Sequence, residues 1–316
     1  MNEHLALDEE ILLRIEHPAR YIGNEVNAVY KDPDSVDVRF CMCFPDVYEI
    51  GMSHLGIQIL YDMFNSFEDT WCERVYSPWT DLDAVMREKK IPLFALESQD
   101  PIRSFDFLGI TLQYEMCYTN ILQVLDLSGI PLSSKERTGW DVPVVMAGGP
   151  CSYNPEPVAE IIDIFYMGEG ETRYRELLDL YKDARRKGRT REEFLREAAR
   201  VPGMYVPAFY EVTYHEDGTI RSMEPVEEGI PRTVTKELVK DMSDTFYPEA
   251  PVVSYIQTYS DRINLEIQRG CIRGCRFCQA GQIYKPVRER SVDFLYDKAV
   301  RSLRNTGFDE MTLSSL

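Results

Sequence analysis

The chain has 316 residues, 44% of them apolar and 28% charged, with a net charge of −18. That fits a soluble globular protein of about two domains, and no stretch approaches the ~18 consecutive apolar residues of a membrane span. The charge opposes indiscriminate nucleic-acid binding but is uneven: residues 262–316 hold ten Lys/Arg against six Asp/Glu, leaving 25 against 47 in the first 261.

The first residues carry acids where an export signal carries bases before an apolar run, which predicts a cytoplasmic protein. Residues 8–15 read as a short helix and 32–35 as a turn. Residues 36–46 read as a buried strand ending at Pro45, followed by a helix with Ile57, Leu60, Tyr61 and Phe64 on one face and Ser53 as N-cap. Strands are expected at 91–97 and 105–112, then a helix over "YTNILQVLDLSG". Residues 142–150 read as a strand broken by Gly148-Gly149, and Asn154 as the cap of a short helix with Pro155 at its first position. "DIFYMGEGE" is a strand ending in glycines, and the next helix puts Tyr174, Leu177, Leu178 and Tyr181 on one face. This alternation predicts an α/β fold, Rossmann-like, with a mostly parallel sheet, and ligands beyond the carboxyl ends of its strands.

From residue 187 a charged helix is followed by alternation around Asp217-Gly218, a hairpin signal. Residues 225–262 are proline-dotted and read as a linker between a domain at 1–224 and another at 263–316. The second opens with a strand at 263–270, has a helix capped by Ser291 and stopped by Gly307, and reaches a further strand at "EMTLSSL". Such a βαβ start cannot bury its own faces, so the expectation is a fragment of a longer protein.

Five of the eight cysteines, Cys41, Cys43, Cys72, Cys117 and Cys151, lie in apolar surroundings and read as small buried hydrophobes. The other three cluster in "RGCIRGCRFCQAG" as Cys271-x3-Cys275-x2-Cys278. A structural zinc site needs a fourth Cys or His, which residues 279–316 do not contain; a distant residue would have to close it. Three thiolates on a 4Fe-4S cluster instead leave one iron free for a further ligand, as catalytic metal sites keep one position open. Gly270 and Gly274 free the backbone to wrap the loop closely. Arg269, Arg273 and Arg276 are expected to place positive charge beside it.

The spacing, with Phe277 before the last cysteine, resembles the signature of the radical S-adenosylmethionine superfamily. Further stretches extend the resemblance to an uncharacterised subgroup whose N-terminal domain is similar to a cobalamin-binding domain: "FPDVYEIGMSHLGIQILYD", "FDFLGITLQYE", "VVMAGGPCSYNPEPVAEIIDIFYMGEGE" and "EIQRGCIRGCRFCQAGQIYKPVRERS". The resemblance implies a cluster on Cys271, Cys275 and Cys278, chelation of its free iron by S-adenosylmethionine, and Phe277 beside the adenine. It also implies reductive cleavage to a 5′-deoxyadenosyl radical, an electron donor of flavodoxin or ferredoxin type, and a partial (β/α)6 barrel of which only the start is present. The 316 residues alone are therefore expected to be inactive.

Cobalamin domains that ligate cobalt by histidine carry Asp-x-His-x-x-Gly, whereas here Asp46 to Gly51 places Tyr48 at the histidine position. That argues against histidine ligation through this loop. Members of the superfamily that hold cobalamin without that ligand keep cobalamin open as a cofactor, with Tyr48, Gly148 and Gly149 as candidate pocket residues. Subgroup relatives modify RNA or protein, or are cobalamin-dependent methyltransferases; the basic runs 185–191 and 285–290 are the candidate phosphate contacts. The competing reading is a non-catalytic interaction protein with a zinc- or cluster-stabilised end.

Overall fold

The computed structural model describes residues 5–243 and 245–315. After a short helix α1 (Glu9–Leu12), strand β1 (Val38–Phe44) leads through α2 (Tyr48–Met52) and α3 (Leu55–Asn65) to β2 (Thr70–Tyr76). Then come α4 (Thr80–Lys89), β3 (Phe107–Thr111), α5 (Tyr118–Leu127), β4 (Val144–Gly148), β5 (Ile164–Tyr166), α6 (Tyr174–Arg186), α7 (Arg191–Ala198) and β6 (Met204–Tyr205). These strands form one six-stranded sheet in the order β2-β1-β3-β4-β5-β6, parallel except for β6.

β1, β3 and β4 are near-continuous apolar runs because both faces of a parallel sheet are covered. One face packs Phe40, Phe64, Phe107, Leu177 and Tyr181 against α3 and α6; the other packs Leu108, Ile110, Ile121, Leu125 and Val145 around α5. The helical faces are as expected: Tyr174, Leu177, Leu178 and Tyr181 are all buried on α6. A Thr190–Glu193 capping box starts α7.

Four local expectations fail. Strand β2 was not foreseen, and residues 91–97 form no strand: apart from an isolated Phe94–Pro101 bridge they are a buried connection. Ser53 closes α2 rather than opening the next helix, whose N-cap is His54. Asn154 closes the 3-10 turn Pro150–Tyr153 instead of opening a helix, and only a 3-10 turn over Glu156–Val158, with Pro155 at its N-cap, follows.

A hairpin, β7 (Tyr210–Tyr214) with β8 (Ile220–Pro225), stands apart from the main sheet. The second sheet comprises β9 (Ile263–Arg269), β10 (Arg288–Glu289) and β11 (Met311–Ser315), separated by α8 (Ala280–Ile283) and α9 (Val292–Thr306). Its order is β10-β9-β11, with β11 parallel and β10 antiparallel to β9. Ser291 accepts from the Phe294 amide at the start of α9, and Gly307 ends it at φ 75°, a left-handed cap that glycine adopts without a Cβ penalty. Leu265, Ile263 and Ala299 of this unit share a small core with Ile59 of α3 and Tyr247. The second sheet is thus packed on the first unit. Among the described residues no helix is long and apolar enough to cross a membrane.

Candidate functional site

The strand order reverses between β2-β1 and β3-β4-β5. Connections there leave in opposite directions and open a crevice at the carboxyl edge of the sheet, the usual ligand position in open α/β folds. A cavity of about 380 Å³ lies at this edge. Its first wall is apolar: Phe40 and Met42 of β1, Ile110 of β3, Met146 of β4, Tyr174 of α6, and Leu55, Ile57 and Leu60 of α3. Its second wall comes from the other sheet: Glu266, Gln268 and Arg269 of β9, Ser314 and Ser315 of β11, and Tyr284. The carboxyl ends of two parallel strand sets therefore face one space.

Gly148 and Gly149 line this cavity, as does the segment from Gly168 to Glu171. Gly149 has φ 102°, and a Cβ there would lie 2.9 Å from the Leu112 carbonyl oxygen. The close approach exists because the Leu112 amide donates to Gly148 O and the Cys151 amide to Leu112 O, at 2.7 and 3.0 Å. Gly168 pairs with Glu237, whose backbone would sit 2.3 Å from an added Cβ.

Tyr48 is a correction. It does not line the cavity. Its ring is buried, and its hydroxyl lies 3.1 Å from Glu25 Oε1 and 3.1 Å from Ser254 Oγ. Burial pushes this phenol up, and the neighbouring Glu25 adds to the shift. The loop position that carries histidine in cobalt-ligating domains is thus turned into the protein, so ligation of cobalamin through it does not fit. His54, six residues on, does reach the cavity wall. Its Nδ1 accepts from the Ile57 amide at 3.3 Å, and burial pushes its pKa down to about 4. A neutral imidazole follows at physiological pH. The sequence held a clue in His54 standing immediately before an apolar-periodic run, but histidine is a rarer cap than serine.

Cys271, Cys275 and Cys278 lie on one loop between β9 and α8, Cys275 exposed and the other two half-buried. Among the described residues no three His, Cys, Asp or Glu side chains are arranged to hold a metal ion. The thiols share a loop without converging. As a donor set they fit a thiolate-ligated iron–sulfur cluster, and among the described residues no histidine joins them to complete a zinc site. The five scattered cysteines are all buried, and burial pushes the Cys41, Cys43 and Cys72 thiols up, so they are poor nucleophiles. Phe277 is 94% exposed and is not part of the cavity wall.

Arg269 does not face the thiols as expected; it is paired with Glu266, Glu171 and Glu169 at 2.9, 2.8 and 3.3 Å. Two residues of the basic run 285–290 are likewise turned inward: Arg288 is bound to Glu169 and Arg290 to Glu266. In the run 185–191, Arg191 is buried against Asp163, and Lys187 and Arg189 pair with Asp183 and Glu197. These cationic groups have carboxylate partners, while Arg186 and Lys285 stay exposed.

Residues 56–207 match the family described as Radical SAM proteins, N-terminal. An uncharacterised protein of Methanocaldococcus jannaschii is 28% identical over 254 residues, covering 80% of this chain and 43% of that protein. Among solved structures, the radical S-adenosylmethionine methyltransferase TsrM of Kitasatospora setae, bound to tryptophan substrate and a S-adenosylmethionine analogue, is similar at a TM-score of 0.46 and 14% identity. That match covers 87% of this chain and 47% of TsrM. The chain thus spans less than half the length of either.

Proposed function

We propose, from the match of residues 56–207 to the family described as Radical SAM proteins, N-terminal, that the whole protein is a radical S-adenosylmethionine enzyme. In this reading Cys271, Cys275 and Cys278 anchor a 4Fe-4S cluster, and the cavity between the two sheets receives the cosubstrate and the reacting part of the substrate. When bound, such a cluster supplies the electron that cleaves S-adenosylmethionine to methionine and a 5′-deoxyadenosyl radical. The observation that carries the reading is the placement of the loop. Cys271 follows two residues after Arg269, the last residue of β9, and β9 ends in the wall of the cavity.

The residues of this chain have distinct parts in that reading. The apolar wall from β1, β3, β4 and α3 excludes water from the reacting region, which protects a radical from quenching. Gln268, Ser314 and Ser315 offer hydrogen-bonding groups at the carboxyl ends of β9 and β11, where the polar groups of a cosubstrate would bind. His54, neutral and anchored through Nδ1, presents an uncharged ring to the same space. An electron donor of flavodoxin or ferredoxin type would approach the loop on its exposed side, at Cys275 and Phe277. Because Tyr48 is turned away from the cavity, ligation through the Asp46–Gly51 loop is removed; a cobalamin would rest instead on Gly148, Gly149 and the Gly168–Glu171 segment, and no step is assigned to it.

The test is anaerobic reconstitution of the full-length protein with iron and sulfide, reduction, and addition of S-adenosylmethionine, with 5′-deoxyadenosine quantified beside a Cys275→Ala control. Product in the wild type and none in the control is expected. One zinc per chain with no iron or sulfide in protein prepared without oxygen would overturn the reading in favour of a zinc-stabilised interaction protein.

A further inference from the structure

Arg269 and Arg288 root the two flanks of the cysteine loop, and they are direct register partners across the antiparallel pair β9–β10. Like charges directly opposite one another on neighbouring strands are destabilising. Here Glu266 and Glu171 pair with Arg269, and one carboxylate from the first unit, Glu169, bridges both arginines. Both Arg288 Nη atoms donate to Glu169, each at 2.6 Å, in a bidentate pair, and Arg269 Nη1 lies 3.3 Å from the same carboxylate. The Val239 amide fixes Glu169 Oε2 from a further side at 2.7 Å. All three side chains are buried.

Arg288 carries the constraint onward. Its Nε and Nη2 donate to Pro286 O and Tyr284 O at 3.0 and 3.2 Å. Those two carbonyls lie only 2.4 and 2.6 Å from where a Cβ on Gly270 would stand. The returning segment is therefore pressed against the residue immediately before Cys271. Lys236 holds the same segment through Ile283 O and Lys285 O, both at 2.8 Å. Glu169 lies in the first unit, and Val239 and Lys236 lie in the segment that follows it, so the returning segment is tied from outside the second sheet.

We propose that Glu169 is a positioning residue of the cysteine loop: it clasps Arg269 and Arg288 together and so fixes the loop that carries Cys271, Cys275 and Cys278. The inference rests on the reading of those cysteines as cluster ligands. Without the carboxylate Arg269 keeps Glu266 and Glu171, but Arg288 is left a buried cation opposite Arg269 with no carboxylate of its own; the β9–β10 pair loosens, and the spacing of the thiols is less firmly held. Residues that orient metal ligands from behind typically change metal retention by about ten- to a hundred-fold when replaced.

The test compares wild type, Glu169→Gln and Glu169→Asp in full-length protein reconstituted with iron and sulfide, with melting temperature recorded for each. Release of iron to a chelator is expected to be about tenfold faster or more in the Gln variant, and intermediate in the Asp variant, which keeps the charge on a shorter stem. The electron paramagnetic resonance signal of the reduced cluster should shift or broaden as well. Hydrogen exchange over residues 263–290 in metal-free protein, which needs no cluster, should be faster in the Gln variant. Should Glu169→Gln fail to fold, Arg288→Gln takes its place, removing the second cation while leaving Glu169 on Arg269. Iron release and spectrum identical to wild type in a folded variant would overturn the clasp. A wild type that takes up no iron at all would overturn the cluster reading itself, a distinct result.

Discussion

Replacing Arg74 by Met is the sharpest test of how the first sheet is held. Arg74 sits on β2, the edge strand, yet its side chain is 2% exposed. Its Nε donates to Glu97 Oε1 at 2.6 Å, its Nη2 to Glu25 Oε2 at 2.8 Å, and its own amide to Glu97 Oε2 at 2.7 Å. Both carboxylates are buried. Met fills much of the volume but leaves two carboxylates without their cation. Breaking a buried pair in this way costs roughly 3–5 kcal/mol, a large part of the ~5–15 kcal/mol that separates folded from unfolded domains. For a unit of this size that corresponds to a fall of roughly 6–20 °C in melting temperature. The assay is thermal unfolding followed by circular dichroism, with the double variant Arg74→Met, Glu97→Gln beside it. The double variant should recover part of the loss, because one stranded charge is gone. A single variant melting within about 2 °C of wild type would refute the reasoning that the pair carries the strand.

Further outcomes follow from the same structure. Burial pushes the Asp62 carboxyl up from 3.8 to about 7, with Glu249 adding to the effect. The unfolded chain therefore ionises Asp62 first, and the native state loses stability as pH rises through that interval. Asp62→Asn should stabilise by roughly 1–2 kcal/mol at pH 8 and by almost nothing below pH 4, the value being reduced by the partial solvent access of the group; equal effects in urea denaturation at both pH values would contradict this. Gly149→Ala forces a side chain onto φ 102° and against Leu112 O, and should lower stability by roughly 1–3 kcal/mol in the same denaturation experiment. Gly148→Leu is the complementary case. A Cβ there meets only Tyr174 Oη and Tyr166 O at 3.6 and 3.7 Å, so the added side chain should be accommodated while filling the cavity. Melting near that of the wild type is expected and, on the proposed function, 5′-deoxyadenosine formation by the full-length protein should be largely lost; undiminished formation would show that the cavity does not serve the reaction.

The parts of the fold legible in the sequence are those whose signals are local. β1, β3 and β4 announce themselves as apolar runs bounded by turns, α6 by its spacing, and α9 by Ser291 and Gly307. The Cys-x3-Cys-x2-Cys loop is likewise contained in eight residues. β2 escaped because "TWCERVY" places Glu73 and Arg74 in its middle, and charged residues argue against a buried strand. Their partners, Arg39, Glu25 and Glu97, lie 23 to 49 positions away, so only the fold shows that the charges cancel. Residues 91–97 misled for the opposite reason: they are apolar and largely buried, but connect rather than pair. Glu169 is farther out of reach still, because Arg288 is 119 positions downstream. The glycines around Glu169 marked a turn; nothing in their pattern revealed what its carboxylate holds.

The arrangement also explains why these two units need each other. A parallel sheet delivers its strand-to-helix loops at one edge, and the 2-1-3-4-5 order opens a crevice in that edge between β1 and β3. That crevice alone is lined mainly by apolar side chains. β9 and β11 are also parallel to each other, and their carboxyl ends bring Glu266, Gln268, Arg269 and the two serines to the opposite side. Only together do they enclose a space that is apolar on one wall and polar on the other, the character of small-molecule sites. The Gly168–Glu171 turn belongs to both: it lines the cavity and, through Glu169 and Glu171, holds the strand that leads into the cysteine loop. A molecule bound in the cavity would therefore press on the same turn that secures the loop. On this geometry the first unit is a wall and a brace of the site rather than a module beside it.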